Sequence, residues 1–452
     1  MATFYIEQFG CRATQADGAA IERQLLERGS TLAESPETAD VVVLNTCTVT
    51  AAADAQAREA IRKLHARNPA TRIVVTGCYA QRAPEELAVL PGVSCVVGNS
   101  HKPQIPDLVA PAARSFVSIG SLSGAAPILS GDIFEHQEVL VAPVSGGEGS
   151  HTRPTLKIQD GCNNRCAFCV IPFVRGKSRS LPAERIIEEI DRLSDGGFRE
   201  IVLSGINLGA WGRDLSPRQE LIDLIPQILA ETSAARLRLS SIEPLDVTRD
   251  LIALFRGTPR LAAHFHMPLQ SGSDRILAAM HRWYRTEHYA RRVELIREEL
   301  PHAAIGADVI AGFPGESEED HVLTLGFIEQ HPFSYLHVFS YSSRPGTRAA
   351  ALRGQLPAST IKRRARELRR LGEAKSAAFY LSQSGREQSA LTLGHSGATP
   401  SPGWTPALSS NYLKLRLAGQ FPANQLVTVL CPPNPDRLVE VQREGDFASS
   451  FA

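Results

Sequence analysis

Three cysteines, Cys162, Cys166 and Cys169, stand in the run Lys157-Ile158-Gln159-Asp160-Gly161-Cys162-Asn163-Asn164-Arg165-Cys166-Ala167-Phe168-Cys169. A Cys-x3-Cys-x2-Cys spacing places three thiolates on one short loop. That is one fewer than a four-iron cluster normally takes, so one iron is left open to an outside ligand. Zinc would want a fourth Cys or His close by, and none stands there. A disulfide would leave an odd thiol over.

This spacing resembles that of the radical S-adenosylmethionine enzymes. Residues 157–171, followed by Pro172 and by Arg175-Gly176-Lys177-Ser178-Arg179-Ser180, resemble the methylthiotransferases, which place a methylthio group on tRNA adenosines or on a ribosomal protein. The resemblance implies that Cys162, Cys166 and Cys169 are catalytic and hold a [4Fe-4S] cluster. S-adenosylmethionine would chelate the open iron through its amino and carboxylate groups, and one electron would split it to a deoxyadenosyl radical. The cofactor then carries the hard step, and the protein binds, aims and shields it.

The elements that must position such a loop follow from periodicity. Over residues 1–118, short β-branched runs alternate with helical patterns, predicting a Rossmann-like parallel sheet flanked by helices. Cys11, Cys47 and Cys78 fall just past three of those strands, at the carboxyl edge where open α/β sheets bind ligands. Unlinked cysteines are most often small buried hydrophobes. Their surroundings, however, resemble the three segments of the methylthiotransferase amino-terminal domain: Phe9-Gly10-Cys11 through Gln15, NTCTVT at 45–50 and TGCYAQ at 76–81. The resemblance implies that Cys11, Cys47 and Cys78 hold a second, sulfur-donating [4Fe-4S] cluster. Arg12-Ala13-Thr14 departs from it, since many relatives carry a longer aliphatic residue there. Cys95 and Cys431 match no ligand position and read as packed free thiols.

Residues 119–150, rich in Gly, Ala and Ser, read as a flexible linker that lets the second cluster approach the substrate. Over 151–378, strand-like runs begin at Thr155, Ile201, Leu237, His264, Ile305 and Tyr335, which predicts a partial TIM-like (βα)6 barrel with its active site at the carboxyl ends of the strands. Polar, Gly-rich runs follow the strands there. They resemble the S-adenosylmethionine-binding motifs of the family and single out Gly205, Asn207, Ser241, Glu243, Gln270, Ser271 and Asp308. Glycine lets backbone approach a flat cofactor, while the acid and amide groups can bond its ammonium, ribose and amide edges. Residues 379–452 turn β-like, with strands expected at 389–392, 412–417, 425–430 and 438–441. They suit a small antiparallel β-barrel whose position resembles the RNA-binding TRAM module. The fold class is therefore α/β with three domains, as 452 residues and a 43% hydrophobic share allow.

Formal charge is zero, with 48 basic against 48 acidic residues, so no global field announces a polyanion. Local basic groups do occur. Arg175, Lys177 and Arg179 follow the cysteine loop and are candidates for pairing with a substrate carboxylate or, equally, for contacting the RNA backbone or the cofactor. Arg353, Lys362, Arg363, Arg364, Arg366, Arg369 and Arg370 are expected to crowd one helix, where they could grip RNA phosphates. The start MATFYIEQFG carries no secretory pattern, and no apolar run approaches bilayer length, so a cytoplasmic protein away from membranes is expected.

NTCTVT and KIQDGCNN most resemble the branch converting N6-threonylcarbamoyladenosine at position 37, beside the tRNA anticodon, to its 2-methylthio form. The implied partners are the tRNA anticodon stem-loop and an electron donor such as a flavodoxin or ferredoxin. Close alternatives are the branches acting on isopentenyladenosine and on a ribosomal protein aspartate. A non-catalytic iron–sulfur RNA-binding protein would explain the barrel and the basic helix but not the open iron.

Overall fold

The computed structural model describes residues 3–109, 125–135, 139, 152–394 and 403–441. Six parallel strands open the chain: β1 Thr3–Gln8, β2 Thr31–Leu32, β3 Val41–Thr46, β4 Arg72–Gly77, β5 Val93–Val97 and β6 Ile128–Leu129, in the order β2-β1-β3-β4-β5-β6. β3 is buried throughout, as its continuous VVVLNT run demands of a strand covered on both faces. Of the expected linker, residues 119–124, 136–138 and 140–150 lie outside the described residues. Ile128–Leu129, also inside it, instead forms the sheet's edge by pairing with β5.

Six further parallel strands build the central domain: β7 Thr155–Asp160, then, after the two-residue antiparallel β8 Arg179–Ser180, β9 Glu200–Gly205, β10 Arg236–Leu239, β11 His264–His266, β12 Ala304–Ala311 and β13 Tyr335–Ser340. They form two sheets, β10-β9-β7-β8 and β11-β12-β13, and the parallel bridges Leu237↔Leu261 and Ser241↔His266 join them into one curved wall. All six expected strand starts fall in or beside these strands. Helices cover the outside; Ala183–Asp195 buries Ile186, Ile187, Ile190 and Leu193 against the sheet, each aliphatic side chain contributing roughly 1.5–3 kcal/mol.

The last domain is a four-stranded antiparallel sheet of β14 Glu387–Thr392, β15 Trp404–Ser409, β16 Lys414–Ala418 and β17 Leu426–Leu430, ordered β16-β15-β14-β17. Residues 439 and 441 bridge to β16 and β17 respectively, so the fourth expected strand supplies only isolated bridges across the two edges. β15 was not anticipated. Its Pro406 argues against a strand, yet it pairs with Arg416 on the neighbouring β16.

Buried charges lock the three domains together. Asp17, on the helix Arg12–Glu27, pairs with Lys102 at 2.8 Å, with Arg175 at 3.0 Å and with Lys157. Asp160 takes the other sides of Lys157 at 2.8 Å and Arg175 at 3.0 Å. Arg344 reaches Asp54 and donates to Thr48 Oγ1 at 2.8 Å. On the far side, Glu200 holds Arg236 and Arg238, whose remaining donors bond the carbonyls of Ser389, Ser409 and Ser410 at 3.0 Å. Within the described residues, the amino-terminal domain is thus docked on the barrel.

Candidate active site

Parallel register brings the amino-terminal cysteines together. β1, β3 and β4 are neighbours, with Gln8 beside Asn45 and Thr46 beside Gly77, so Cys11, Cys47 and Cys78 leave the carboxyl ends of three adjacent strands. Gly10, at φ +114°, lets the first turn close on the second: a Cβ there would stand 2.6 Å from that of Cys47. Gly161, at φ +70°, does the same for the radical loop, because a Cβ would overlap the carbonyl oxygen of Lys177.

The sulfurs receive donors. Val49 N donates to Cys47 at 3.5 Å, Asn99 Nδ2 to Cys78 at 3.6 Å, Asn164 N to Cys162 at 3.4 Å and Arg282 Nη1 to Cys166 at 3.1 Å. Cys11 lies 3.6 Å from Thr14 Oγ1. Sulfurs held as acceptors suit thiolate ligands of an iron–sulfur cluster, whose potential such hydrogen bonds tune. Burial pushes the free thiols up, to about 12 for Cys47, about 11 for Cys162 and about 12 for Cys169, so loading iron must expel their protons. The donor sets fit iron–sulfur clusters in both places.

Cys11 and the loop cysteines Cys162, Cys166 and Cys169 line one cavity of about 550 Å³ at the carboxyl ends of the barrel strands. Of the residues expected to bind the cofactor, Gly205, Asn207, Ser241, Glu243, Gln270 and Asp308 line it too. Ser271 does not; it is buried behind the wall, within 3.3 Å of Thr324 Oγ1. Gln270 takes φ +65°, an uncommon and mildly costly conformation for a side-chain-bearing residue that clusters at functional sites. Burial raises the Glu243 carboxyl against the pull of Arg282, the cation that also bonds Cys166. Burial works the same way on Asp308, but bonds from His266 at 2.9 Å and His337 at 3.4 Å win and hold it below the ordinary carboxylate range.

The basic candidates separate. Arg175 is 2% exposed and committed to Asp17 and Asp160, and Arg179 is buried, with a bond to the Lys177 carbonyl at 3.2 Å. Lys177 is exposed but lies outside the cavity. A substrate carboxylate in the cavity therefore does not meet these three. The sequence reading also missed a wall of rings: His264, His266, Tyr335, His337 and Tyr412, the last brought in by the carboxyl-terminal domain at φ +70°. The strand period of two did carry a signal, since His264 and His266, and likewise Tyr335 and His337, share a face. Arg282 had none. Cys95 and Cys431 pack in apolar cores, away from either cysteine group.

A half-barrel of parallel strands carrying a three-cysteine loop at its carboxyl mouth defines an iron–sulfur radical enzyme. Residues 3–98 match the uncharacterized protein family UPF0004, and residues 156–328 match the radical SAM superfamily. The chain is 38% identical, over 94% of its length and 98% of the relative's, to "Threonylcarbamoyladenosine tRNA methylthiotransferase MtaB" of Aquifex aeolicus. It is 37% identical to the protein of that name from Bacillus subtilis, over 85% of this chain and 83% of the relative. To "tRNA-2-methylthio-N(6)-dimethylallyladenosine synthase" of Syntrophobacter fumaroxidans it is 34% identical, over 95% and 90%. Among solved structures, the radical S-adenosylmethionine methyltransferase TsrM from Kitasatospora setae shares the fold, with a TM-score of 0.57 at 14% identity over 77% of each chain. The chain belongs to the radical S-adenosylmethionine methylthiotransferase family. It is an enzyme that uses S-adenosylmethionine and [4Fe-4S] chemistry. No helix of the described residues is long and apolar enough to cross a membrane.

Proposed function

We propose that this enzyme converts N6-threonylcarbamoyladenosine in the tRNA anticodon loop to its 2-methylthio derivative, using two [4Fe-4S] clusters. One observation carries the two-cluster reading: Cys11 and the loop Cys162, Cys166 and Cys169 border the same cavity, which six of the expected cofactor residues also line. The threonylcarbamoyl substrate is supported by the near full-length likeness to relatives named for it. Cys162, Cys166 and Cys169 would hold the radical cluster, and Cys11, Cys47 and Cys78 the sulfur-donating one. When bound, these groups supply the electron, the radical and the sulfur.

The chain's own residues bind and orient. Glu243 and Asp308 would offer carboxylate acceptors to an ammonium and a ribose, and Gly205, Asn207, Ser241 and Gln270 line the same cavity. Arg282 pairs with Glu243 and bonds Cys166, so it would couple the cofactor's position to the cluster ligand. The buried Asp17–Arg175–Asp160 network holds the two cysteine groups in register.

RNA would be held farther out. Lys362, Arg366, Arg369 and Arg370 line a groove of about 430 Å³ on the helix Ala358–Ser382. Arg353 precedes the helix, and Arg363 and Arg364 are instead spent on Glu316, Glu318 and Glu367. The carboxyl-terminal sheet would act as a TRAM-like RNA-binding module. A flavodoxin or ferredoxin would supply electrons in the cytoplasm.

The test offers reconstituted enzyme two tRNAs that differ only in the threonylcarbamoyl group. Turnover confined to the modified tRNA supports the reading. Equal turnover on both, or activity only on isopentenyladenosine tRNA, overturns it.

A further inference from the structure

A threonylcarbamoyl group brings a carboxylate into a cavity that already contains Glu243 and Asp308. Burying a third negative charge there is costly unless a cation meets it. Among the described residues, two cationic Arg or Lys side chains line the cavity, Arg12 and Arg282. Arg282 is bound to Glu243 and Cys166. Arg12, half-buried at the first turn of the helix Arg12–Glu27, forms no ion pair among the described residues. No acidic side chain occupies that first turn either, so the helix's amino-terminal field adds to the positive potential.

The neighbouring wall supplies a second unfilled polar group. His266 Nε2 lies 2.9 Å from the ionised Asp308 and must donate to it. With His266 in its neutral form, Nδ1 accepts from the Tyr335 hydroxyl, 2.9 Å away. That hydroxyl's single proton is thereby used, so at 2.7 Å His264 Nε2 must donate to it. His264 Nδ1 is left as an acceptor; it is buried and without a partner among the described residues, and its ring stacks on Tyr412 at 4.3 Å. Cation and empty acceptor lie in one cavity, and Arg12 is close enough for its charge to act on His264 and Tyr335.

We propose that Arg12 selects the substrate by pairing with the carboxylate of its N6 substituent, while His264 Nδ1 accepts a hydrogen bond from a hydroxyl or N–H of the same group. The inference rests on the threonylcarbamoyl reading above and names the residues that would enforce it. Arg12 reads an anion and His264 reads a donor, a pairing that an isopentenyl group cannot satisfy.

The experiment uses the reconstituted holoenzyme, a threonylcarbamoyl anticodon stem-loop, and the same RNA with the carboxylate converted to its carboxamide. Wild type should favour the acid in kcat/KM roughly 10- to 100-fold, the range a charge-assisted hydrogen bond contributes. Arg12→Gln should collapse that preference, chiefly through KM, and Arg12→Lys should restore part of it. Binding of the two RNAs without reductant, read by anisotropy, should show the same ratio. Equal loss of binding for acid and carboxamide RNA in Arg12→Gln would instead mark a phosphate contact and overturn the proposal. So would a raised KM for S-adenosylmethionine with the acid preference intact. If Arg12→Gln loses its iron, wild type decides, because equal handling of acid and carboxamide sinks the role. Failure of wild type on threonylcarbamoyl RNA altogether would instead overturn the substrate assignment itself.

Discussion

Replacing Asp17 by Asn removes one charge and little volume from a deeply buried ionic network. Three cations, Lys102, Lys157 and Arg175, share two carboxylates, Asp17 and Asp160, and every member is fully enclosed or nearly so. The single excess positive charge acts on Cys78 and Cys11. With Asn at position 17, three buried cations face one carboxylate, and Lys102 loses its only ion-pair partner among the described residues. Breaking a buried pair by removing one partner costs about 3–5 kcal/mol. Because the network joins the helix Arg12–Glu27 to β7, the loss should appear as an earlier unfolding transition of the amino-terminal domain in urea at pH 7. Burial opposes ionisation of Asp17, but the three cations outweigh it and hold the carboxyl below its ordinary range. A depressed carboxylate contributes stability that is complete above the unfolded value of about 3.9 and is lost as pH falls through the folded one. The gap between wild type and Asp17→Asn should therefore be constant above about pH 5 and shrink below pH 4. A variant within 1 kcal/mol of wild type at pH 7, or a gap that widens in acid, would refute the reasoning.

Four other outcomes are expected. Anaerobically reconstituted protein in which Cys162, Cys166 and Cys169 are all Ala should keep about half the iron and sulfide of wild type; full retention would show that the loop holds no cluster. Reversing Lys362, Arg366 and Arg370 to Glu should weaken tRNA binding about equally for all tRNAs and flatten its salt dependence. Arg364→Glu, by contrast, should lower stability first, because Arg364 is buried against Glu316; unchanged tRNA affinity in the triple reversal would discard the groove. Gly161→Ala should destabilise the radical loop, since a Cβ would overlap the Lys177 carbonyl, and iron retention after mild heating reads this directly.

How much of this was legible in the sequence depended on whether the cause was local. The strand starts of the barrel were readable because β-branched runs, turn glycines and helical spacing all act within a few residues. Cys11, Cys47 and Cys78 could be grouped because parallel strands deliver their carboxyl ends to one edge whatever the sequence separation. Thr31–Leu32, Arg179–Ser180 and Ile128–Leu129 escaped notice because two residues carry no period. Arg175 was misread for a different reason. Its place after the cysteine loop suggests a ligand contact, but its partner Asp17 lies on another domain, and only packing reveals that both are enclosed. Arg12 shows the converse: it registered only as a departure from the family's pattern, and its lack of a carboxylate partner among the described residues is a fact of three dimensions.

The division of labour between the two cysteine groups is tested most directly by Cys78→Ala, which removes a buried thiol of the amino-terminal set and leaves the radical loop untouched. The reconstituted variant is given reductant, S-adenosylmethionine and threonylcarbamoyl tRNA, and both 5′-deoxyadenosine and the modified nucleoside are measured by mass spectrometry. The assignment predicts 5′-deoxyadenosine without 2-methylthio product. Methylthio product at the wild-type level, or loss of 5′-deoxyadenosine while the loop's cluster remains intact, would contradict it.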